Sequence, residues 1–113
     1  MAFSKAKQTE RNFQVALCTA PDSDTAESLA EKMVKQKLAA CVNIIPAITS
    51  VYEWQGDIEK EPEVLMVIKT DEELMGQLEE LLEQEHPYEV FELISCNIDQ
   101  AATAYLQWLN GAL

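Results

Sequence analysis

The chain has 113 residues, of which 48% are hydrophobic, enough for the core of one domain of ordinary size but not for two. Its formal net charge is −12, because 20 acidic residues stand against 8 Lys plus Arg. Nucleic-acid binding needs Lys and Arg side chains that displace counterions from phosphates, so this charge argues against a nucleic-acid partner. Anionic membrane surfaces are disfavoured for the same reason.

The charge is unevenly distributed along the chain. Lys69 is the last basic residue, and ten acidic residues follow it between Asp71 and Asp99. The simplest interpretation is a solvated acidic surface that keeps the protein in solution. Such a surface also concentrates divalent cations around the molecule, so an attraction for cations is compatible with it.

Residues 1–12 are polar and are expected to form a flexible N-terminal tail, followed by a single domain at residues 13–113. The tail lacks the apolar centre of a signal peptide, and the chain has no run of about 18 apolar residues, so no membrane insertion is expected. Three cysteines, Cys18, Cys41 and Cys96, are odd in number and far apart, without a CxxC pair. This usage predicts free thiols in a reducing compartment, and hence the cytoplasm.

Residues 13–19 alternate apolar with small or polar residues, which predicts a first strand. Residues 21–24 end that strand and open a helix, with Asp24 and Glu27 spaced as a possible capping box. The helix then carries apolar residues at the spacing of one helical face. They are Ala26, Leu29, Ala30, Met33 and Val34.

An extended β-hairpin is predicted from residue 40 to residue 69. Its first arm is rich in β-branched residues and is interrupted by Pro46, which indicates a bulge, a bend or an edge position. Gln55 and Gly56 are typical of a hairpin turn, with Gly56 supplying a positive φ. The return arm ends in the nearly apolar residues 64–69.

A second helix is predicted to begin at Thr70 or Asp71 and to end by His86, because Pro87 disfavours helical geometry in its predecessor. Its apolar face consists of Leu74, Met75, Leu78, Leu81 and Leu82. A fourth strand is predicted at residues 91–98 and a short helix at residues 101–109. The candidate anchors of that last helix are Tyr105, Leu106 and Trp108.

This element order predicts an α+β fold, a ferredoxin-like βαββαβ sandwich with an extended β-hairpin and a C-terminal helix. Right-handed crossovers place the four strands in the order 4-1-3-2, each antiparallel to its neighbours. The end of strand 1 and the turn before strand 4 then share one rim of the sheet. Cys18 and His86 are therefore predicted to be spatial neighbours.

Thiolate and imidazole donors near Glu85 and Glu89 suit copper or zinc better than magnesium or calcium. The chain has one histidine, so this ligand set is incomplete for a tight site. Two structural alternatives stay open. Cys18 could act as a small buried hydrophobe, and His86 could cap the last carbonyls of the second helix.

Four stretches of the sequence form a recognisable set of motifs. They are Leu-Cys-Thr-Ala-Pro-Asp at residues 17–22, Lys-Leu-Ala-Ala-Cys-Val-Asn at 37–43, Tyr-Glu-Trp-Gln-Gly at 52–56 and His-Pro-Tyr at 86–88. Together they resemble the CutA family of divalent-cation tolerance proteins. The resemblance runs from about residue 13 to residue 113, with every motif in order. It implies a ferredoxin-like fold assembled as a homotrimer, similar in architecture to PII signalling proteins, with a role in tolerance of divalent cations and of copper in particular.

The resemblance also implies a set of copper ligands. Family members proposed to bind copper use the cysteine of the first motif and two adjacent histidines before Pro-Tyr, which correspond here to Cys18, Glu85 and His86. Glu85 stands where the first histidine is expected. Since Cu(I) prefers softer donors than carboxylate, copper binding is expected to be weaker or less selective than in a member with both histidines.

Three other functions compete with metal tolerance. The chain has no Gly-rich phosphate loop, no Ser/His/Asp set and no HxxxH motif, so an enzyme is not expected, although Cys18 and His86 could form a nucleophile–base pair. A nucleotide sensor of the PII kind needs basic or Gly-rich phosphate contacts, whereas this acidic chain has three glycines. A trimeric assembly or interaction module without a physiological metal site is the principal alternative.

Overall fold

A computed structural model describes residues 3–5 and 11–113 of the chain. The strands are β1 (Phe3–Lys5), β2 (Phe13–Ala20), β3 (Cys41–Trp54), β4 (Asp57–Asp71), β5 (Ile94–Asn97) and β6 (Gln100–Ala102), and the helices are α1 (Ser23–Lys35), α2 (Met75–Glu85) and α3 (Thr103–Ala112). The main sheet has the order β3-β4-β2-β5, antiparallel throughout. The predicted ferredoxin-like fold and its strand order are confirmed.

The N-cap of helix α1 lies two residues before the predicted one. Asp22, not Asp24, is the N-cap: its backbone is extended, and its carboxylate Oδ1 accepts the N–H of Thr25 at 2.7 Å. The predicted capping box at Asp24 and Glu27 is therefore wrong. The cap is the residue with the extended backbone. Asp24 already lies inside the first turn, where its negative charge interacts favourably with the positive end of the helix dipole.

Helix α1 ends in a Schellman motif. The N–H of Leu38 donates to the Met33 carbonyl at 2.9 Å, and the N–H of Lys37 donates to the Val34 carbonyl at 3.1 Å. Lys37 adopts the left-handed conformation, at φ 57°, that this motif requires. The predicted inward face is confirmed except at Val34, which is 45% exposed.

The hairpin of β3 and β4 carries the predicted bulge and the predicted turn. The cross-strand register shifts between Ile45 and Ile48, at the position of Pro46, and Ala47 there has φ 60°. Gln55 and Gly56 have φ 51° and 88°, both in the left-handed region, as in a type I′ turn. Because β2 pairs with β4 only at residues 64–71, the part of the hairpin at residues 48–63 projects beyond the sheet.

In the second half of the chain, the helix and strands begin or end at residues other than those predicted. Asp71 still belongs to β4 and caps a 3-10 turn at Glu72–Leu74 by accepting the N–H of Glu73 at 2.7 Å, so α2 begins only at Met75. Helix α2 ends at Glu85, as Pro87 predicts. Strand β5 is shorter than the predicted residues 91–98.

The last helix is displaced toward the C-terminus. Residues 100–102 pair with Phe3–Lys5 as a small antiparallel ribbon, so the helix starts at Thr103 instead of residue 101 and runs to Ala112 instead of residue 109. Residues 3–5 of the predicted flexible tail are thus in a strand, and residues 1, 2 and 6–10 lie outside the described part of the chain.

The main core lies between α1, α2 and one face of the sheet. Its buried members include Ala16, Cys18, Leu29, Met33, Met66, Ile68, Leu78 and Leu82. A smaller core under α3 contains Phe13, Ala40, Leu106 and Leu109. Of the three predicted anchors of α3, only Leu106 is buried. Tyr105 and Trp108 point outward, because Leu106 and Leu109, three residues apart, form the inward stripe.

The opposite face of the sheet, called here the open sheet face, carries the side chains that alternate with the core residues. Its members are Val15, Leu17, Cys41, Asn43, Ile45, Leu65, Val67, Lys69, Ile94 and Cys96, all half-buried or exposed. Lys69 is the one charged residue of this set, and its ammonium donates to the side-chain oxygen of Asn43. No helix within residues 3–5 and 11–113 is long and apolar enough to cross a membrane.

Candidate functional site

His86 lies at the rim of the sheet, directly after α2, in an extended conformation that turns its ring toward the end of β2. Its Nε2 lies 2.8 Å from the carbonyl oxygen of Thr19, and its Nδ1 lies 3.0 Å from the backbone nitrogen of Tyr88. A carbonyl oxygen can only accept, so Nε2 carries the proton; a backbone N–H can only donate, so Nδ1 uses its lone pair. Both nitrogens of this 8%-exposed imidazole are therefore engaged within the fold.

Cys18 lies beside His86, as the strand topology predicts. Its side chain is fully buried, and its Sγ lies 3.6 Å from the same Thr19 carbonyl oxygen that His86 binds. Burial in the core, followed by the negative charges of Glu92 and Glu63, raises the pKa of the Cys18 thiol to about 12. The predicted proximity of Cys18 and His86 is confirmed, with the sulfur in the protonated thiol form near neutral pH.

Glu85 does not join this pair. Its carboxylate lies on the outer surface, where it accepts from the Lys32 ammonium of α1 at 2.9 Å, and both side chains are 41% exposed. Adjacent helical residues point about 100° apart, so the residue before His86 is directed away from the rim. Within residues 3–5 and 11–113, no three His, Cys, Asp or Glu side chains are grouped so that they could hold a metal ion.

The arrangement in a single chain therefore does not fit a copper ion. A metal ligand needs a free lone pair on an imidazole nitrogen, a carboxylate oxygen or a thiolate sulfur. The lone pair of the His86 Nδ1 is used by Tyr88, the Cys18 sulfur is protonated, and the Glu85 carboxylate is paired with Lys32. The described geometry instead joins the end of β2 to the turn that leads into β5.

Aromatic rings enclose the imidazole and connect it to the hairpin. The His86 ring lies 4.8 Å from the Tyr88 ring and stacks on Phe91 at 5.6 Å. The Tyr88 hydroxyl donates to the Glu63 carboxylate at 2.7 Å, where the hairpin leaves the sheet. Burial, followed by this hydrogen bond and nearby negative charges, raises the pKa of Tyr88.

Two members of this rim were missed by sequence reasoning. The acceptor at Thr19 is a backbone carbonyl, which leaves no mark on residue type, so only its position at the end of a strand could have indicated it. Glu63 lies among several acidic residues of similar appearance. Its position directly before the part of β4 that pairs with β2 was the available signal.

A shallow groove of about 370 Å³ lies on the outer side of the rim, between α1 and the turn after α2. Its lining consists of Asp24, Thr25, Ser28, Leu29, Lys32, Glu85 and Pro87. The ion pair of Lys32 and Glu85 lies within it, so these two charges of the lining neutralise each other.

A ferredoxin-like sheet with a projecting hairpin and one face free of helices defines the chain as a small α+β domain. The comparisons with known proteins give its family. The sequence model of the CutA1 divalent ion tolerance protein family matches residues 14–112, and the chain belongs to that family.

Relatives from bacteria and animals are similar to the chain over most of its length. A divalent-cation tolerance protein CutA of Escherichia coli is 44% identical over 107 residues, which cover 95% of this chain and 96% of the relative. Protein CutA of Mus musculus is 46% identical over 99 residues, covering 88% of this chain and 56% of the mouse protein. The human protein is covered to 55%, so the chain spans just over half of these two mammalian relatives.

Solved structures give the same result for the fold. CutA from Synechococcus elongatus superposes with a TM-score of 0.89 at 34% identity, over 99% of this chain and 96% of that one. The divalent cation tolerance protein of Thermus thermophilus has a TM-score of 0.83 at 38% identity, over 86% and 94%. The domain is therefore folded like these CutA proteins along nearly its whole length.

Proposed function

We propose that this chain acts in divalent-cation tolerance as a homotrimer. The family membership supports the tolerance role, and one structural feature carries the proposal of assembly, namely the open sheet face. Its aliphatic side chains, including Leu17, Leu65 and Val67, occupy neighbouring positions in the register of the four strands. Contiguous apolar surface of this kind marks a protein–protein contact more often than a free surface.

The free edges of the sheet support a ring rather than a two-fold dimer. One edge is the long strand β3 and the other is the four-residue strand β5. Unpaired strand edges invite pairing, and unlike surfaces that pair head to tail generate cyclic assemblies when the rotation closes. In the proposed trimer, the open sheet faces are expected to turn toward the other copies.

Sedimentation velocity of the purified chain at micromolar concentration tests the assembly directly. A single species of three times the monomer mass is expected. A monomer would contradict the proposal, because the apolar face would then be stable in water. Survival of cells lacking the gene, in medium with excess copper or other divalent cations, tests the tolerance role when this chain is returned.

Copper binding by Cys18, Glu85 and His86 stays a prediction. It requires the Cys18 thiol to ionise in the core, the His86 ring to give up a hydrogen bond and Glu85 to leave Lys32, so weak binding is expected. Titration calorimetry should show a loss of copper affinity in the Cys18→Ser and His86→Ala double variant. Equal affinity in the variant and the parent chain would contradict the site.

An assembly or interaction module without a physiological metal site is the second candidate. It is favoured because the side chains of His86 and Cys18 are already hydrogen-bonded to backbone groups of the chain. The two candidates differ in cells. If copper tolerance depends on metal binding at the rim, the Cys18/His86 double variant fails to rescue a deletion strain. If tolerance depends on assembly, a double variant that still sediments as a trimer rescues it.

We also propose that the role is not catalytic and is exercised in the cytoplasm. The raised pKa of Cys18 keeps the thiol protonated, whereas nucleophilic cysteines have a lowered pKa. Cys18, Cys41 and Cys96 are all free, which suits a reducing compartment. A relative from Archaeoglobus fulgidus is described as periplasmic, so cell fractionation with an antibody to this chain is the appropriate test.

A further inference from the structure

The asparagine of α3 is followed directly by a glycine. Asparagine is one of the chemically labile residue types in proteins. The other three asparagines of the chain precede Phe13, Ile44 and Ile98, whereas Asn110 precedes Gly111. Because glycine lacks a Cβ, the backbone at Gly111 can adopt conformations that are closed to the other three followers. Asn110 is therefore the asparagine whose side-chain amide is most easily reached by the next backbone nitrogen.

The surroundings of Asn110 leave this approach open. Both Asn110 and Gly111 are exposed, and a Cβ added at Gly111 would meet no atom within 4 Å. The buried stripe of α3 ends one residue earlier, at Leu109. Asn110 lies about 160° around the helix from Trp108, so a contact made through the exposed ring of Trp108 does not cover it.

Asn110 and Gly111 also lie in the last turn of α3, which ends at Ala112. In an α-helix the N–H of residue 111 donates to the carbonyl of residue 107, and this bond must open before the nitrogen can react. Terminal turns open at little cost in free energy, and glycine favours the open form more than alanine does. The opening that the reaction needs is thus confined to the end of one short helix.

The other three asparagines are held in place by the fold. The side-chain oxygen of Asn97 accepts from Asn12 at 3.3 Å and from Gln14 at 2.6 Å. The side-chain oxygen of Asn43 accepts from the Lys69 ammonium. Each of the three lies in a strand of the main sheet or directly precedes one. The backbone around them is therefore freed only when strands of the sheet separate.

We propose that Asn110 and Gly111 form a site of spontaneous deamidation. The backbone nitrogen of Gly111 bonds to the side-chain carbonyl carbon of Asn110, and its proton goes to the departing amide, which leaves as ammonia. Water then opens the resulting succinimide ring at one of its two carbonyls. The product is aspartate or isoaspartate, depending on which carbonyl is attacked. Water is the only co-reactant, so the reaction is independent of the proposed trimer and of any metal.

Isoaspartate at position 110 would change the end of α3. It adds one carbon to the main chain, so the residues beyond it lose the helical register. These residues are Ala112 and Leu113, which pack against the smaller core, and the Leu113 carbonyl accepts from Arg11 at 3.0 Å. The Arg11 guanidinium also contacts the Asp71 carboxylate at 3.3 Å, so it joins the end of α3 to the end of β4. Isoaspartate is expected to release the contact between Arg11 and Leu113.

Mass spectrometry of the incubated chain tests the site. The parent chain is held at neutral pH in water labelled with heavy oxygen and is then digested in ordinary water. Only side chains that deamidate during the incubation carry the label. Asn110 is expected to be converted before any other asparagine of the chain. Conversion of Asn110 at a rate no higher than that of the other three overturns the proposal.

Gly111→Ala is the matched variant, because it keeps the exposed asparagine and adds a Cβ into open space. Its conversion is expected to be at least about fivefold slower, since alanine favours the closed helical turn over glycine by about 1 kcal/mol. Gly76→Ala makes the same change in α2 and is expected to leave the rate at Asn110 unaltered. Equal rates in the parent chain and in Gly111→Ala overturn the proposed chemistry.

Trypsin tests the release of the last turn. Chromatography separates the aged chain into unmodified, aspartyl and isoaspartyl forms, and the variant Asn110→Asp identifies the aspartyl one. The isoaspartyl form is expected to be cut after Arg11 several-fold faster than the unmodified form, because the Arg11 side chain has lost the Leu113 acceptor. Asn110→Asp keeps the main chain intact and should be cut at the unmodified rate. Equal cleavage of all three forms overturns the release of the turn and leaves the deamidation site standing.

Discussion

His86 is held by two hydrogen bonds and two aromatic rings. Its removal leaves the Tyr88 N–H without this acceptor and leaves the Thr19 carbonyl with only the weak Cys18 thiol as a side-chain donor. We expect His86→Ala to lower the free energy of unfolding by about 2–3 kcal/mol, because buried polar groups that lose their partner keep the cost of desolvation. Denaturant titration at a fixed protein concentration measures it.

The neighbouring residue supplies the control. Glu85→Gln removes only an exposed ion pair with Lys32 and is expected to cost no more than about 1 kcal/mol. Equal losses in the two variants would show that the imidazole contributes no more than a surface carboxylate, contrary to its described contacts.

Cys18 is expected to make the free energy of unfolding depend on pH in alkaline solution. Its pKa is raised from 9.0 to about 12 in the fold, so above pH 9 the unfolded chain loses a proton that the folded chain keeps. Stability then falls as pH rises from about 9 toward 12, by up to about 1.4 kcal/mol per pH unit, and is unaffected by this group below pH 9. Melting temperatures from pH 8 to 11 should decline more steeply for the parent chain than for Cys18→Ala. Parallel declines would contradict the assignment.

The proximity of Cys18 and His86 could be predicted from the sequence because it follows from strand order alone. The direction of Glu85 could not, because it depends on where a helix ends and on a lysine 53 residues earlier in the chain. The sequence also could not predict that Asp22, and not Asp24, is the N-cap of α1. Both residues are acidic and close to the helix start, and only the backbone conformation at Asp22 separates them.

At the scale of elements, the C-terminus of α1 offers a stabilising change. Lys37 occupies a left-handed position, which costs a residue with a Cβ about 1–2 kcal/mol. Lys37→Gly removes that cost but adds chain entropy to the unfolded state, so a net stabilisation of about 0.5–1 kcal/mol is expected by thermal or chemical denaturation. Gln36→Gly, one residue earlier at φ −86°, should give no gain. Stabilisation by both variants would point to a cause other than the left-handed backbone.

Element type was predictable where hydrophobic periodicity was strong, as in α1 and in the arms of the hairpin. The predicted ends of strands and helices were wrong where tertiary contacts determine them. Strand β4 extends to Asp71 because β2 pairs with it up to that residue, and α3 starts late because residues 100–102 find a partner in Phe3–Lys5. The outward position of Tyr105 and Trp108 was missed because their hydrophobicity favoured burial in the domain itself.

At the scale of the whole molecule, the open sheet face predicts how the assembly can be broken. Val67→Lys places a cation in the centre of this face and is expected to yield monomers in sedimentation velocity, with the far-ultraviolet circular dichroism of a folded chain, because an unpaired charge is costly to bury between copies. Gln77→Lys, on the exposed side of α2, adds the same charge and should remain a trimer. A trimer from Val67→Lys would place the interface elsewhere.

Cleavage after Lys69 by trypsin can report when the main sheet opens. It is the final trypsin target in the chain, and its peptide bond lies in β4, where hydrogen bonds to β2 and β3 hold the backbone on both sides. Trypsin can enter there only after both neighbouring strands separate, whereas Lys60 in the projecting arm needs only local fraying. The rates of cleavage after Lys60 and after Lys69 therefore distinguish local opening of the hairpin from opening of the entire sheet, and the measurement needs no label.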